Sequence, residues 1–202
     1  YDKCGSLFVS EFGYVGGCCK KTTLAYMGDE GIDTTSEAWR QHTNTFEKKT
    51  VAAGIRKHYA DPEQLSIDDY LLCSGLCQGL MYQYSLESMR YRPNCHGGIF
   101  WMFEDCWGEI GWTIIDYYLR RKPSWYFVRR AFAPIRLIMR AAGNKIHVIA
   151  ANDTPKNNKL ELECGYVALD GTRSQLKRFK AEAAALERTE CCVFAKGQHD
   201  PA

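Results

Sequence analysis

A long helical segment lies between two short apolar stretches, and this arrangement limits the possible fold more than any other feature. The apolar stretches are residues 7–9 and 97–103. Glu11 lies two residues after the first stretch, and Glu104 directly follows the second. Ser66 with Asp69 marks the start of a helix that runs to about Tyr91. Short buried strands joined through a helix are typical of parallel sheets with helical crossovers. The sequence therefore predicts an α/β fold for this part of the chain.

Helix signals between and after these strands support the same fold class. Leu72, Leu76, Leu80 and Tyr84 recur at i+4 spacing, which predicts one core-facing stripe on the long helix. The pair Thr34 and Glu37 has the spacing of a capping box. Further helices are expected over residues 51–59 and 116–131.

The pattern changes after Pro134. Residues 145–150 and 160–164 alternate apolar and polar side chains, and turn-forming residues occupy 152–155 and 170–171. We therefore expect two domains. Residues 1–134 would form the α/β domain, and residues 135–202 a small immunoglobulin-like β-sandwich.

Composition argues against several classes of function. Lys and Arg number 26 and Asp and Glu 24, so the formal net charge is +2 and no strong field favours nucleic acid or acidic membranes. No apolar run approaches the ~20 residues of a membrane span. The five histidines have no ligand spacing, so we expect no metal, and nothing indicates a cofactor. The basic cluster of Arg120, Arg121, Arg129 and Arg130 is interpreted as a solvated, ion-paired helix face.

Ten cysteines leave two interpretations of the cellular compartment open. Buried free thiols in a reducing cytoplasm are favoured, because the chain is larger and richer in core residues than disulfide-stapled domains usually are. A secreted protein with a disulfide framework is the alternative.

The acidic residues near the strand ends are candidates for catalysis. Active sites of (β/α)8 barrels lie at the carboxyl ends of the strands, and a carboxylate there can act as a nucleophile. Glu11 follows the first apolar stretch, and Trp101 lies in the second. A tryptophan is suited to sugars, because the C–H face of a pyranose packs on an aromatic plane. Packing of Trp101 in the core and a surface role for Glu11 are the simpler alternatives.

Two motifs in order resemble those of glycoside hydrolase family 2, most closely its β-mannosidase-like members. Residues 8–13, F-V-S-E-F-G, match the nucleophile pattern S-E-[FY]-G. Residues 97–107 match the pattern G-[AG]-x-x-W-x-x-x-D-x-W of the final barrel strand, and the likeness covers roughly residues 5–140. Gln78, Glu87 and Arg90 also match the helix before that strand.

This resemblance implies a role for each site residue. Glu11 would be the nucleophile at the end of the seventh strand of a (β/α)8 TIM barrel, and the mechanism would retain anomeric configuration. Trp101, at the end of the eighth strand, would bind the sugar, with Asp105 and Trp107 as further substrate-binding residues. Asp105 could instead cap a following helix.

The resemblance also indicates what the chain lacks. In the family the acid/base glutamate follows an asparagine on the fourth strand, and no Asn-Glu dipeptide occurs here. We therefore expect a fragment that carries the nucleophile, is inactive alone, and has the N-terminal part of the same polypeptide as its partner. Its substrate would be a β-linked carbohydrate. Met102 and Glu104 depart from the Gln and Asn of many β-mannosidases, so β-galactosidase or β-glucuronidase specificity is an alternative. A non-catalytic carbohydrate-binding or scaffold module is another.

Overall fold

The computed structural model describes residues 4–28 and 31–195. The chain divides into two compact units, Tyr1–Phe132 and Ala133–Ala202, and each is described separately below. Together they are mixed α and β. The first unit contains the following helices and strands: β1 (Val9–Phe12), α1 (Lys20–Met27), α2 (Glu37–His42), a π-helical turn (Glu47–Ala52), α3 (Ala53–His58), a 3-10 turn (Pro62–Gln64), α4 (Ile67–Tyr91), β2 (Gly98–Phe100) and α5 (Pro123–Ala131).

The two strands of the first unit are parallel, as predicted. Val9 pairs with Gly98 and Phe12 with Phe100, so both strands run in the same direction and end side by side. The connection between them includes α4, which supplies the crossover. Closure into an eight-stranded barrel stays a prediction.

Helix α4 has the predicted bounds, and its N-cap is confirmed. The Ser66 hydroxyl accepts a hydrogen bond from the Asp69 backbone N–H, which satisfies one of the free amide groups of the first turn. At the other end the helix stops at Tyr91, two residues before Pro93, because proline disfavours the helical conformation of the residue before it.

The predicted core-facing stripe of α4 was wrong. Leu72 and Tyr84 are half exposed, and Leu80 is 40% exposed. The helix instead buries a face rich in small residues, because α5 packs very closely against it. A Cβ atom at Gly75 would lie 2.9 Å from Pro123 Cγ, and one at Gly79 would lie 2.7 Å from Phe127 Cγ.

Three other expectations for the first unit are corrected. The first strand is Val9–Phe12 and not residues 7–9, since the side chains of residues 7 and 8 face solvent. Helix α2 is capped by Ser36 and not by Thr34, because the Ser36 hydroxyl lies 3.1 Å from the Trp39 amide. The helix expected over residues 51–59 begins as the π-helical turn and continues as α3.

The helix expected over residues 116–131 forms only from Pro123 onward. The Asp116 carboxylate accepts hydrogen bonds from the backbone N–H groups of Tyr118 (3.0 Å) and Arg120 (2.9 Å), which holds this stretch in a turn. Leu119 has a φ of 61° within it, which no helix accepts. Pro123 then occupies the first position of α5, where its missing N–H costs nothing.

The second unit consists of antiparallel strands, as predicted. Its strands are β3 (Ile135–Ala142), β4 (Lys145–Asn152), β5 (Asn158–Val167), β6 (Arg173–Ala183) and β7 (Arg188–Ala195). They form a three-stranded sheet in the order β3-β4-β7 and a two-stranded sheet of β5 and β6. Buried side chains from both sheets, including Ile138, Val148 and Leu162, form its core. An immunoglobulin-like sandwich stays a prediction.

The cysteines are free thiols, as favoured by the sequence, but most are not buried. All ten lie within the described residues and none forms a disulfide there. Only Cys18, Cys77 and Cys95 are buried, whereas Cys19 and Cys106 are exposed. Among the helices of the described residues, none is both long and apolar enough to cross a membrane.

Candidate active site

The parallel pairing brings Glu11 and Trp101 to the same edge of the β1–β2 sheet. Glu11 is the third residue of β1, and Trp101 directly follows β2. The Trp101 amide donates a hydrogen bond of 2.6 Å to the carbonyl oxygen of Phe12, the neighbour of Glu11. The two predicted site residues therefore lie on adjacent chain segments.

Both side chains are open to solvent. Glu11 is exposed, and none of the described side chains hydrogen-bonds to its carboxylate. Trp101 is 49% exposed. A carboxylate beside a half-exposed indole ring can approach a ligand from solvent without breaking an internal ion pair. This accessibility suits a nucleophile or a binding group.

A small cavity lies immediately after β1. Its volume is about 190 Å³, and neither Glu11 nor Trp101 lines it. The lining residues are Gly13, Tyr14, Val15, Phe46, Thr50 and Trp112. Aromatic rings with a few hydroxyl groups are a suitable lining for a sugar or for an aryl group.

The backbone at Trp101 is held firmly from two sides. Its N–H binds the Phe12 carbonyl in β1, and its carbonyl accepts a hydrogen bond from the Tyr82 hydroxyl of α4. The peptide bond between Trp101 and Met102 is cis. Gly13 packs so closely against this point that a Cβ atom there would lie 2.8 Å from Trp112 Cδ1 and closer still to the Trp101 carbonyl.

Trp107 lies at the exposed end of an aromatic stack. Its ring is parallel to that of His42 with centroids 4.6 Å apart, and His42 stacks in turn on Tyr26 at 4.8 Å. The His42 Nδ1 atom contacts the carbonyl oxygen of Gly108, which fixes the imidazole. The Trp107 side chain is 53% exposed, so it remains accessible to a ligand.

Asp105 is buried, unlike Trp101 and Trp107. Burial raises the pKa of its carboxyl to about 6, and the nearby positive charge of Lys122 limits this rise. The alternative role as a helix cap is excluded, because the next helix begins only at Pro123. Substrate binding by Asp105 stays a prediction.

A buried lysine is a feature that sequence reasoning missed. Lys122 is 1% exposed, and its Nζ donates to the carbonyl oxygens of Gly16 (2.6 Å) and Gly111 (3.3 Å). It thereby joins the chain after β1 to the chain after β2. Gln78 of α4 adds a second link, since its Nε2 donates to the carbonyls of Tyr14 (2.7 Å) and Gly111 (3.2 Å).

The basic cluster was expected to form ion pairs, but its guanidinium groups lie over aromatic rings. Arg121 and Arg129 both lie over Trp125, at 4.1 and 5.4 Å from the ring centroid. Arg120 and Arg130 stack on Tyr118 and Phe127. The electron-rich face of each ring therefore stabilises the positive charge of the guanidinium group above it.

Metal-binding residues do not cluster in residues 4–28 and 31–195. No group of three or more His, Cys, Asp or Glu side chains there could hold an ion. His199 lies outside the described residues.

Comparisons with known proteins find β-mannosidases among the relatives of this chain. No family model matches the chain. Beta-mannosidase B of Aspergillus clavatus is 28% identical over 170 residues, which cover 80% of this chain and 20% of that protein. Beta-mannosidase B of Thermothelomyces thermophilus is 30% identical over 152 residues, covering 68% of this chain and 17% of that protein. The chain thus spans about a fifth of the length of these relatives.

Solved structures agree with the sequence relatives. The β-D-mannosidase of Dictyoglomus thermophilum superimposes with a TM-score of 0.82 and 26% identity, covering 96% of this chain and 24% of that one. An exo-chitosanase of Amycolatopsis orientalis, with a TM-score of 0.69 and 18% identity over 92% of this chain and 23% of that one, shares the fold. The chain is therefore β-mannosidase-like and corresponds to a C-terminal part of a glycoside hydrolase of family 2.

Proposed function

We propose that this chain belongs to a retaining β-glycoside hydrolase of β-mannosidase type, in which Glu11 is the nucleophile and Trp101 binds the sugar. One observation carries the proposal. The Trp101 amide is hydrogen-bonded to the Phe12 carbonyl, so the indole ring and the Glu11 carboxylate emerge from neighbouring strand ends. The motifs at both positions and the relatedness to β-mannosidases support it.

The proposed chemistry has two displacement steps. A carboxylate oxygen of Glu11 bonds to the anomeric carbon while the glycosidic C–O bond breaks, and its electron pair leaves with the aglycone oxygen. A second carboxylic acid protonates that oxygen, then removes a proton from the water that cleaves the glycosyl-enzyme. Two inversions at the same carbon give net retention.

The acid/base residue is proposed to lie in another part of the polypeptide. The chain contains no Asn-Glu dipeptide, and the relatives are about five times longer than the matched segment. We place β1 and β2 next to each other in a (β/α)8 barrel whose remaining strands come from that other part. The apolar side chains that α4 leaves exposed, including Leu72, Leu80 and Tyr84, would pack there.

Trp101 and Trp107 are proposed to contact the substrate through their ring faces. Each is about half exposed, and each is held by the surrounding structure. A rigid aromatic platform binds a pyranose without losing much side-chain entropy. Among the sugars that β-glycosidases cleave, the proposed substrate is a β-mannoside. This preference rests on the names of the relatives alone.

The test is hydrolysis of aryl β-mannosides by the chain joined to the upstream part of its polypeptide. Glu11→Gln is expected to lower kcat/KM by about 10³-fold or more, because the amide cannot form the covalent intermediate. Glu63→Gln is the matched control, because Glu63 is an exposed glutamate on the 3-10 turn. Its exchange should leave kcat/KM unchanged. Aryl β-galactosides and β-glucuronides in the same assay decide the sugar preference.

Two results would contradict the proposal. A Glu11→Gln variant with the activity of the parent would remove Glu11 from the mechanism. Binding of mannosides without turnover by an assembled protein that is correctly folded would instead favour a carbohydrate-binding module.

A further inference from the structure

Tyr82 is the most deeply buried aromatic side chain beneath the candidate site. It lies in α4 and has no exposed surface. Its hydroxyl donates to the Trp101 carbonyl and lies 2.8 Å from the Trp112 carbonyl. One phenol on the helix thus contacts the backbone on both sides of the loop that follows β2.

The two carbonyls belong to a single backbone arrangement. The Met102 amide, next to Trp101, lies 3.4 Å from the same Trp112 carbonyl oxygen. The Trp101 N–H is already engaged by Phe12. The hydroxyl of Tyr82 is therefore the contact that fixes the carbonyl side of the Trp101 peptide.

The Tyr82 ring cannot easily move away from this position. It makes edge contacts with Phe12, Tyr14 and Phe100, with ring centroids 6.0, 5.4 and 5.4 Å away. Such edge-to-face contacts prefer a defined geometry. Burial also raises the pKa of the phenol above its ordinary value, so the group remains a hydrogen-bond donor at physiological pH.

We propose that Tyr82 is a positioning residue, which acts through the Trp101 backbone to set the orientation of the indole ring that binds the sugar. This inference deepens the proposed function and rests on it for its effect on catalysis. Tyr82 itself touches no substrate, since it has no exposed surface. Loss of the hydroxyl leaves the ring in the core but releases the Trp101 carbonyl.

The first test is a double-mutant cycle in the assembled enzyme. Tyr82→Phe is expected to lower kcat/KM for an aryl β-mannoside by about tenfold, because small displacements of substrate-binding groups are costly in rate. In a Trp101→Ala background the same exchange should change kcat/KM by less than about twofold, since the group through which Tyr82 acts is gone. A tenfold loss in both backgrounds would overturn the proposal.

Tyr70→Phe is the matched control. Tyr70 lies on the same helix, and its hydroxyl donates to Glu47 Oε1 at 2.6 Å. Its exchange also removes one partly buried tyrosine hydrogen bond, and hydrogen bonds to charged acceptors are the stronger kind. Tyr70→Phe should therefore lower the urea midpoint at least as much as Tyr82→Phe while kcat/KM stays unchanged. Equal losses of kcat/KM in the two variants would show a merely structural role for Tyr82.

A second measurement needs no activity. The indole N–H resonances of the ¹⁵N-labelled 202-residue chain are compared between variants. Tyr82→Phe should shift the resonances of Trp101 and Trp112, whereas Tyr70→Phe should shift that of Trp39, whose Nε1 donates to the shared partner Glu47.

The two measurements separate failure of this inference from failure of the proposed function. An active Glu11→Gln enzyme together with the expected resonance shifts would refute the nucleophile and leave the positioning of Trp101 standing. An inactive Glu11→Gln enzyme with an unmoved Trp101 resonance in Tyr82→Phe would refute the role of Tyr82 alone.

Discussion

Gly13 has no room for a side chain, and Gly13→Ala is expected to destabilise the first unit. A Cβ atom at this position would lie 2.8 Å from Trp112 Cδ1 and even closer to the Trp101 carbonyl oxygen. The carbonyl belongs to the backbone and is hydrogen-bonded to Tyr82, so it cannot rotate away as a flexible side chain would. The added methyl group must displace the loop after β2.

The size of the effect follows from three contributions. Overpacking a close contact costs about 1–3 kcal/mol. Displacement of the Trp101 carbonyl weakens its hydrogen bond to Tyr82, which contributes about 1 kcal/mol. The lower entropy of alanine in the unfolded chain offsets about 0.4–1 kcal/mol. The free energy of unfolding should therefore fall by about 2 kcal/mol.

Urea unfolding followed by tryptophan fluorescence measures this change in the first unit alone. All five tryptophans lie in that unit, at positions 39, 101, 107, 112 and 125. With a slope of about 2 kcal/mol per molar urea, the midpoint should fall by about 1 M. Gly5→Ala is the control, because no atom of the described residues beyond its two chain neighbours lies within 4 Å of the added Cβ. Equal midpoints for the two variants would refute the close packing at Gly13.

Two further predictions concern charge and exposed apolar surface. Because folding raises the pKa of Asp105 from about 4 to about 6, the folded state binds more protons between these pH values. The free energy of unfolding therefore falls by about 3 kcal/mol as the pH rises through them. The measurement is the urea midpoint at several pH values between about 4 and 7. In Asp105→Asn the midpoint should fall less steeply with pH than in the parent, and an unchanged dependence would assign the effect to other groups. Leu72 and Leu80 are exposed apolar side chains on α4, where a hydrophobic dye can bind. The double substitution Leu72→Lys with Leu80→Lys should therefore reduce the fluorescence of such a dye bound to the isolated chain by about half. Leu119→Lys, at an exposed loop residue, is the control. An equal loss of dye fluorescence in this variant would mean that the dye does not bind the face of α4.

Local signals in the sequence were sufficient to predict where the main elements lie. The hydroxyl of Ser66 caps α4, and the helix ends before Pro93, because both effects act within one turn of chain. The antiparallel strands of the second unit follow from alternation over a few residues. Parallel pairing of β1 with β2 was also predicted, since a helical crossover permits little else.

Features that depend on distant partners could not be predicted. The large apolar residues of α4 suggested its buried face, but the glycines at 75 and 79 decide it by allowing α5 to approach. A turn forms at Asp116 where the sequence predicted a helix. The Asp116 carboxylate accepts hydrogen bonds from nearby backbone amides, and the periodicity of apolar residues gives no indication of these bonds.

In the candidate site, the sequence predicted the exposed residues near the strand ends but not the buried side chains that support them. Glu11 and Trp101 were identified by motif, and the structure brings their strand ends together. Tyr82 and Lys122 were missed as supports. A buried phenol or ammonium group acts through backbone carbonyls far away in sequence, and one chain without its fold gives no sign of such contacts.

The central claim is that Glu11 forms a covalent bond with the sugar, and trapping of that bond tests it most directly. The assembled enzyme is treated with an activated aryl 2-deoxy-2-fluoro-β-mannoside, whose fluorine slows hydrolysis of the glycosyl-enzyme, and its peptides are weighed by mass spectrometry. We expect the peptide that contains Glu11 to gain the mass of one fluorosugar, with the modified residue at Glu11. An active enzyme whose label lies on another residue would contradict the assignment.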